Sequence, residues 1–197
     1  MPRRGGQSTA SGVSFQALAI ARCIIDVYQG NADWVRAEIP PKADLGKAEL
    51  IPVTVDDYAL MRSGKRHYSQ AKSNAPGGGS WTVAKLHEHG ILESFQAQIA
   101  VDSSAVCSLV TPSPCPLLSD LAVRAQPAIT KTEFLANLST PCEKLLDQLC
   151  SQTDMDRSEA LQFLSHCRLE TRSAEQMRAD PEALASALFA DPRAKVD

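Results

Sequence analysis

Two short stretches place acidic, amide and amine side chains among apolar residues, where they could act on a phosphate. Asp56 and Asp57 follow the apolar run IPVTV, and Gln70 and Lys72 lie two residues apart in HYSQAKSN. Residues two apart on a strand project from the same face. If both stretches are strands, a carboxylate, an amide oxygen and an ammonium group can converge on one side of a sheet.

A predicted hairpin brings these residues together. Residues 63–65 form a turn signal between strand-like stretches at 50–62 and 66–72. Counting outward from the turn places Asp56 and Asp57 opposite the second pair, about 4.8 Å away across neighbouring strands. Hard cations such as Mg²⁺ prefer oxygen ligands and need only one or two carboxylates. The sequence therefore predicts a metal site that stabilises negative charge on a phosphate. The lysine would stabilise that phosphate or orient the attacking water.

Each pair has a simpler explanation when it is taken alone. An Asp-Asp pair beside a strand is more often an exposed turn or an edge feature, and Gln-x-Lys is a common string. The hairpin spacing and the surrounding order of elements favour the functional interpretation.

The order of elements predicts an α/β core. A helix begins near Ser11 and ends at Gly30-Asn31. Strands at 33–40, 50–62 and 66–72 follow, and then a helix through 81–99, capped by Ser80 and interrupted at Gly90. Residues 104–112 are apolar almost throughout, as a strand covered on both faces should be.

The pattern after Pro116 is wholly helical. The predicted helices are 116–125, 131–138, 141–152, 156–166 and 173–190. We therefore expect a flexible N-terminal arm (1–10), an αβββαβ core (11–115) and an α-helical C-terminal extension (116–197).

This order of elements, with Asp57 on the second strand and Gln70-Ala71-Lys72 on the third, resembles the PD-(D/E)xK nuclease superfamily. It most closely resembles the Mrr-like endonuclease domains that serve as N-terminal effectors in bacterial anti-phage proteins. The resemblance implies a restriction-endonuclease-like fold, a mixed central sheet flanked by helices. Its further matches are the Phe15-Gln16 pair in the first helix, a strand glutamate at Glu38 or Glu49, and Phe95 in the later helix.

The resemblance implies Mg²⁺-dependent cleavage of double-stranded DNA with little sequence preference, with Mn²⁺ as a possible substitute. Asp57 would bind the metal, and it is favoured over Asp56 because adjacent strand positions cannot both face one ion. Gln70 stands where the superfamily usually has a third acidic residue, and it would be a ligand or position the water. Lys72 would stabilise the phosphate in the transition state. Gln16 and Glu38 would support the site from its edge.

Three further residues are candidates for contacts with the DNA backbone. Lys65 and Arg66 form a small basic cluster with His67 at the hairpin, and Ser80 ends the glycine-rich stretch PGGGS before a helix. Basic side chains and helix N-termini both meet phosphates in such interfaces. A solvated turn and a flexible loop are the simpler interpretations.

Composition limits the partners and the compartment. The net charge is −3 and the pI about 5.8, so no global basic field indicates a DNA-coating protein, although a local basic cleft is compatible with these values. The six cysteines form no C-x-x-C pair and indicate buried, reduced thiols. The sequence shows neither a signal peptide nor a membrane span, so we expect a cytoplasmic protein without a membrane partner.

We therefore expect a DNA endonuclease effector that is cut from a longer protein. Such an effector would form a homo-oligomer and would be fused to, or regulated by, a C-terminal sensor or NTPase module. Two alternatives stay open. One is a catalytically inactive nuclease fold that acts as an oligomerisation or DNA-binding adaptor. The other is an unrelated α/β binding domain in which Asp56 and Asp57 form a surface turn.

Overall fold

The computed structural model describes residues 10–37, 42–43, 51–55, 57–73, 75, 77–128 and 130–179. The helices are α1 (Ala10–Tyr28), α2 (Val83–Glu88), α3 (Ile91–Val101), α4 (Pro116–Ala125), α5 (Lys131–Ala136), α6 (Thr140–Thr153) and α7 (Arg157–His166). The strands are β1 (Trp34–Ala37), β2 (Lys42–Ala43), β3 (Ile51–Pro52), β4 (Tyr58–Arg62), β5 (Lys65–Ala71), β6 (Val106–Thr111) and β7 (Cys167–Thr171). Residues 174–179 are also helical.

Five strands form one mixed sheet in the order β1-β4-β5-β6-β7. β4 runs antiparallel to both of its neighbours, β1 and β5, whereas β5, β6 and β7 run parallel to one another. The β4–β5 hairpin turns at Ser63 and Gly64, whose φ angles of 51° and 72° are the positive values that a tight two-residue hairpin turn requires. β2 and β3 pair with each other in a separate two-stranded sheet.

Helices cover both faces of the large sheet, and each face has its own hydrophobic core. Side chains along each strand alternate between these two cores. Tyr68 and Leu109 point into a large cluster that they share with α2, α3, α4, α6 and α7. Ala71, three positions after Tyr68, and Val110, directly after Leu109, point into a second cluster with α1 and Met177. β6 is buried at every position, as its apolar sequence predicted.

The structure confirms the α/β prediction and a sheet flanked by helices. The hairpin turn and the interruption of the later helix at Gly90 are also confirmed, since α2 ends at Glu88 and α3 begins at Ile91. The predicted cap is wrong, because the Oγ1 of Thr82, and not Ser80, accepts the backbone N–H of Lys85 at 3.3 Å. The predicted strand at 50–62 is divided in the structure: β3 (Ile51–Pro52) pairs with β2, and only β4 (Tyr58–Arg62) belongs to the large sheet.

The region after Pro116 is not wholly helical. β7 pairs with β6 in parallel and forms the fifth strand of the sheet. The helices before it contribute to the same large core as β5 and β6, through Leu118, Leu121, Leu146, Leu149 and Phe163 among others. The expected extension therefore shares one packed core with the expected nuclease core. Within the described residues, no helix is both long and apolar enough to span a membrane.

Candidate active site

Asp57 lies at the open end of the β4–β5 hairpin, one residue before β4 begins. Its Oδ2 accepts the backbone N–H of Ala71 at 2.7 Å. Ala71 is two residues beyond Ser69, which pairs with Tyr58 at the end of the antiparallel ladder. The Asp57 carboxylate therefore continues the hairpin by one hydrogen bond and is held beside the Gln70–Lys72 segment.

Gln70 is 7% exposed, and its Oε1 is buried without a hydrogen-bond partner in the structure. Gln70 pairs with Leu109 of β6 and lies two residues after Tyr68, and both of these belong to the large core cluster. A buried acceptor without a partner is unfavourable, and in native proteins it calls for an explanation such as a bound ion or water. No group among the described residues satisfies this oxygen.

Lys72 follows β5 directly and keeps the strand direction, because its backbone N–H donates to the Val110 carbonyl at 2.9 Å. Its position places it on the same face as Gln70, by the period of two along a strand. Asp57, just before β4, is held next to this segment by the Ala71 N–H. The three predicted residues therefore lie together at one end of two neighbouring strands.

The oxygen donors of this site fit Mg²⁺ better than a softer metal. The described residues contain no group of three or more His, Cys, Asp or Glu side chains that could hold an ion. Mg²⁺ needs only one or two carboxylates because it retains several waters, and the Asp57 carboxylate and the unpartnered Gln70 Oε1 are oxygen atoms of the kind that it prefers. Glu38, Glu49 and Asp56 are outside the described residues.

Gln16 is half-buried on α1. The buried side of α1, which includes Phe15 and Ala19, packs in the second core cluster. Since that cluster covers the other face of the sheet, Gln16 belongs to a helix across the sheet from Asp57, Gln70 and Lys72.

The three candidate DNA contacts have different environments. Lys65 is exposed at the hairpin, whereas Arg66 is buried with its Nη1 3.3 Å from the Asp102 Oδ2. The Tyr68 hydroxyl lies at the same distance from that carboxylate. Ser80 is half-buried, and its carbonyl accepts from the Lys85 ammonium at 3.3 Å. The Arg66 guanidinium group is therefore buried in an ion pair and does not present its charge at the hairpin surface.

The cysteines are mostly buried. All six are free, and only Cys150 is not fully buried. Burial raises the pKa of the Cys115 thiol to about 11 and, with the nearby Asp26, the pKa of Cys23 to about 12. These thiols are protonated at neutral pH, which agrees with the expectation of buried, reduced cysteines.

No family model matches the chain, and no curated protein has a significantly similar sequence. The fold is similar to the structure of the Acinetobacter baumannii Cap4 SAVED/CARF-domain containing receptor, with a TM-score of 0.51 and 13% identity over 93% of this chain and 38% of the receptor. The same receptor with the cyclic trinucleotide 3′3′3′-cAAA gives a TM-score of 0.51 and 13% identity over 91% of this chain and 36% of the receptor. The chain spans less than two fifths of these receptors, and it has the fold of that part of them.

Proposed function

We propose that this chain is the nuclease segment of an anti-phage defence receptor and that it cleaves double-stranded DNA in a Mg²⁺-dependent reaction with little sequence preference. The observation that carries the proposal is the buried, unpartnered Oε1 of Gln70, two residues before Lys72 and next to the residue whose N–H holds the Asp57 carboxylate. A purely structural glutamine at this position would be expected to have a partner for that oxygen.

Each residue of the site has a distinct task. Asp57 and Gln70 would hold the cation through oxygen atoms, and the Ala71 N–H fixes the Asp57 carboxylate in place. A bound Mg²⁺ would lower the pKa of a coordinated water and neutralise charge on the phosphate. The Lys72 ammonium would stabilise the negative charge that develops on the scissile phosphate.

The similarity to the Cap4 receptors supports a defence role. Those structures are of SAVED/CARF-domain containing receptors, one of them with a cyclic trinucleotide, and this chain matches less than two fifths of their length. We infer that a nucleotide-sensing module is attached to this segment in the longer protein. Binding of a cyclic oligonucleotide there would assemble several copies and so switch on cleavage.

A plasmid-nicking assay tests the proposal. The chain is fused to an oligomerising coiled coil and incubated with supercoiled plasmid and Mg²⁺, Mn²⁺ or a chelator. We expect metal-dependent nicking that falls about 100-fold or more in Lys72→Ala, the range seen when one transition-state donor is removed. Lys144→Ala, an exposed lysine on α6, is the control and should retain activity.

Asp57→Asn separates metal binding from folding. The asparagine oxygen can still accept the Ala71 N–H but lacks the charge that a cation requires. Electron paramagnetic resonance of free Mn²⁺ should show weaker binding by this variant, with an unchanged unfolding midpoint.

Equal nicking by wild type and Lys72→Ala, or no nicking by the oligomerised wild type with either metal, would contradict the proposal. DNA binding without metal and without cleavage would instead support the adaptor alternative.

A further inference from the structure

A second polar site lies on the opposite face of the sheet. It is a cavity of about 440 Å³ between α1, the β4–β5 hairpin, β6, β7 and Met177. Its volume is within the range of small-molecule pockets, roughly 300–1,000 Å³. We call this cavity the α1 pocket, and it is separated from Asp57, Gln70 and Lys72 by the sheet itself.

The sheet positions that line the α1 pocket are unusually polar. A sheet face that packs against a helix is normally apolar, and Leu60 and Val110 follow that rule. Between them, the strands place hydroxyl, imidazole and charged groups on the same face: Ser69 beside Ser108 in the β5–β6 ladder, and His67, Arg62 and Glu170 nearby. The polar lining predicts a polar ligand.

The pocket has an excess of positive charge. Three guanidinium groups, of Arg22, Arg62 and Arg172, line it together with two carboxylates, of Asp26 and Glu170. Asp26 is ion-paired with both Arg22, at 3.4 Å, and Arg62. Glu170 lies 3.2 Å from the Nε of Arg172. Each guanidinium group has five N–H donors, and an ion pair with one carboxylate uses only some of them. The remaining donors can bind an anion.

The Nε–H of Arg62 is one such donor, because Nε is buried without a hydrogen-bond partner in the structure. The other titratable groups add no negative charge at neutral pH. Burial raises the pKa of Cys23 to about 12 and raises that of Tyr58 strongly. Burial, followed by the nearby Arg62, lowers the pKa of His67 to about 4, so that its ring is neutral.

We propose that the α1 pocket binds a phosphate monoester on a small polar body, a nucleoside 5′-monophosphate or the 5′-phosphate end of a DNA strand, with Arg62 and Arg172 as the phosphate ligands. Guanidinium groups suit this role because their planar donor fork matches phosphate oxygens two at a time. The serine hydroxyls and the Asn31 amide at the wall would bind the sugar and base. The proposal does not depend on the metal site or on nuclease activity.

Calorimetric titration of the full chain without metal tests this site. The probes are adenosine 5′-monophosphate, inorganic phosphate and adenosine. We expect saturable binding of the monophosphate, competition by inorganic phosphate, and binding of adenosine weaker by about tenfold or more, since charged hydrogen bonds to the phosphate are lost. A 5′-phosphorylated oligonucleotide that binds more tightly than the monophosphate identifies the DNA end as the source, and equal or weaker binding identifies the free nucleotide.

Matched arginine variants locate the binding. Arg62→Gln and Arg172→Gln should each weaken the monophosphate about tenfold or more. Arg124→Gln is the control, because Arg124 lies outside the pocket and is paired with Asp120. Its side chain is 41% exposed, which matches the 42% and 43% exposure of Arg62 and Arg172, each also paired with a carboxylate. If Arg62→Gln does not fold, Arg62→Lys retains the charge and should bind more weakly through loss of the donor fork.

Three results would overturn the assignment. The first is the absence of saturable monophosphate or phosphate binding by the folded wild type. The second is equal affinity for adenosine and its monophosphate. The third is an equal loss of binding in Arg124→Gln and in the two pocket variants, which would indicate a nonspecific charge effect.

Discussion

Arg66 belongs to a basic cluster by sequence, but its guanidinium group contacts the Asp102 carboxylate in the protein interior. Both side chains are almost fully buried, and the Tyr68 hydroxyl adds a contact to the same carboxylate. Removing one partner of a buried ion pair leaves the other charge uncompensated, at a cost of roughly 3–5 kcal/mol. We therefore expect Asp102→Ala to lower the free energy of unfolding by roughly that amount in urea denaturation.

Asp147→Ala is the control for this prediction, because Asp147 forms a comparable pair with Arg157 on the exposed surface. Exposed pairs contribute little, so its effect should be much smaller. If both variants lost the same stability, the Arg66–Asp102 pair would be no more important than a surface contact. The test also bears on DNA binding, since an Arg66 held in this pair is not available to a phosphate.

The residues of the candidate site differ in how far the sequence could predict them. Gln70 and Lys72 share a face by the period of a strand, which their spacing alone indicates. The unpartnered state of the Gln70 Oε1 depends on β6 and on the large core, and no local pattern encodes it. The contact between Arg66 and Asp102 joins residues 36 positions apart, so composition at the hairpin suggested exposure where tertiary packing produces burial.

Among the elements, the break between α2 and α3 depends on Gly90, which has a φ of 69°. This left-handed conformation costs an L-residue roughly 1–2 kcal/mol. A Cβ at this position would meet nothing within 4 Å, so the cost of Gly90→Ala is that of the backbone alone. We expect about 1 kcal/mol less stability in urea denaturation, because alanine partly offsets the strain by restricting the unfolded chain.

Gly90→Asn is the comparison variant, since asparagine tolerates the left-handed region better than alanine does. It should retain more stability than the alanine variant. Greater stability of Gly90→Ala than of wild type would mean that α2 and α3 form one continuous helix in solution.

The elements that the sequence predicted are those with a strong local signal. The hairpin has a turn signal between two strands, and β6 has an apolar run that is buried at every position. β7 has neither, because its sequence CRLET is short, partly charged and mostly half-buried at the edge of the sheet. Its strand conformation comes from pairing with β6, a contact across about 60 residues of sequence. Tertiary pairing of this kind overrides weak local preference.

The sequence predicted the fold class of the molecule, but the boundary that it predicted near residue 115 divides a single hydrophobic core. The change from strands to helices near residue 115 suggested an α/β core and an extension. The large core crosses that point, since Tyr68 and Leu109 before it pack in the same cluster as Leu121 and Leu146 after it. A change in secondary-structure type along the chain is therefore not a domain boundary here.

This packing predicts that residues 1–115 do not fold without the rest of the chain. Truncation would remove Leu121, Leu146 and Leu149, which are fully buried. It would also remove β7, the strand that pairs with β6 at the edge of the sheet. Losing one buried leucine side chain costs about 2–5 kcal/mol, so three such losses are of the same size as the typical stability of a domain, about 5–15 kcal/mol. Circular dichroism and amide dispersion in NMR should show a cooperative, folded full chain and an unfolded or aggregated truncated one. Cooperative unfolding of the truncated chain would instead establish the boundary near residue 115 and make the helices after it dispensable for the candidate site.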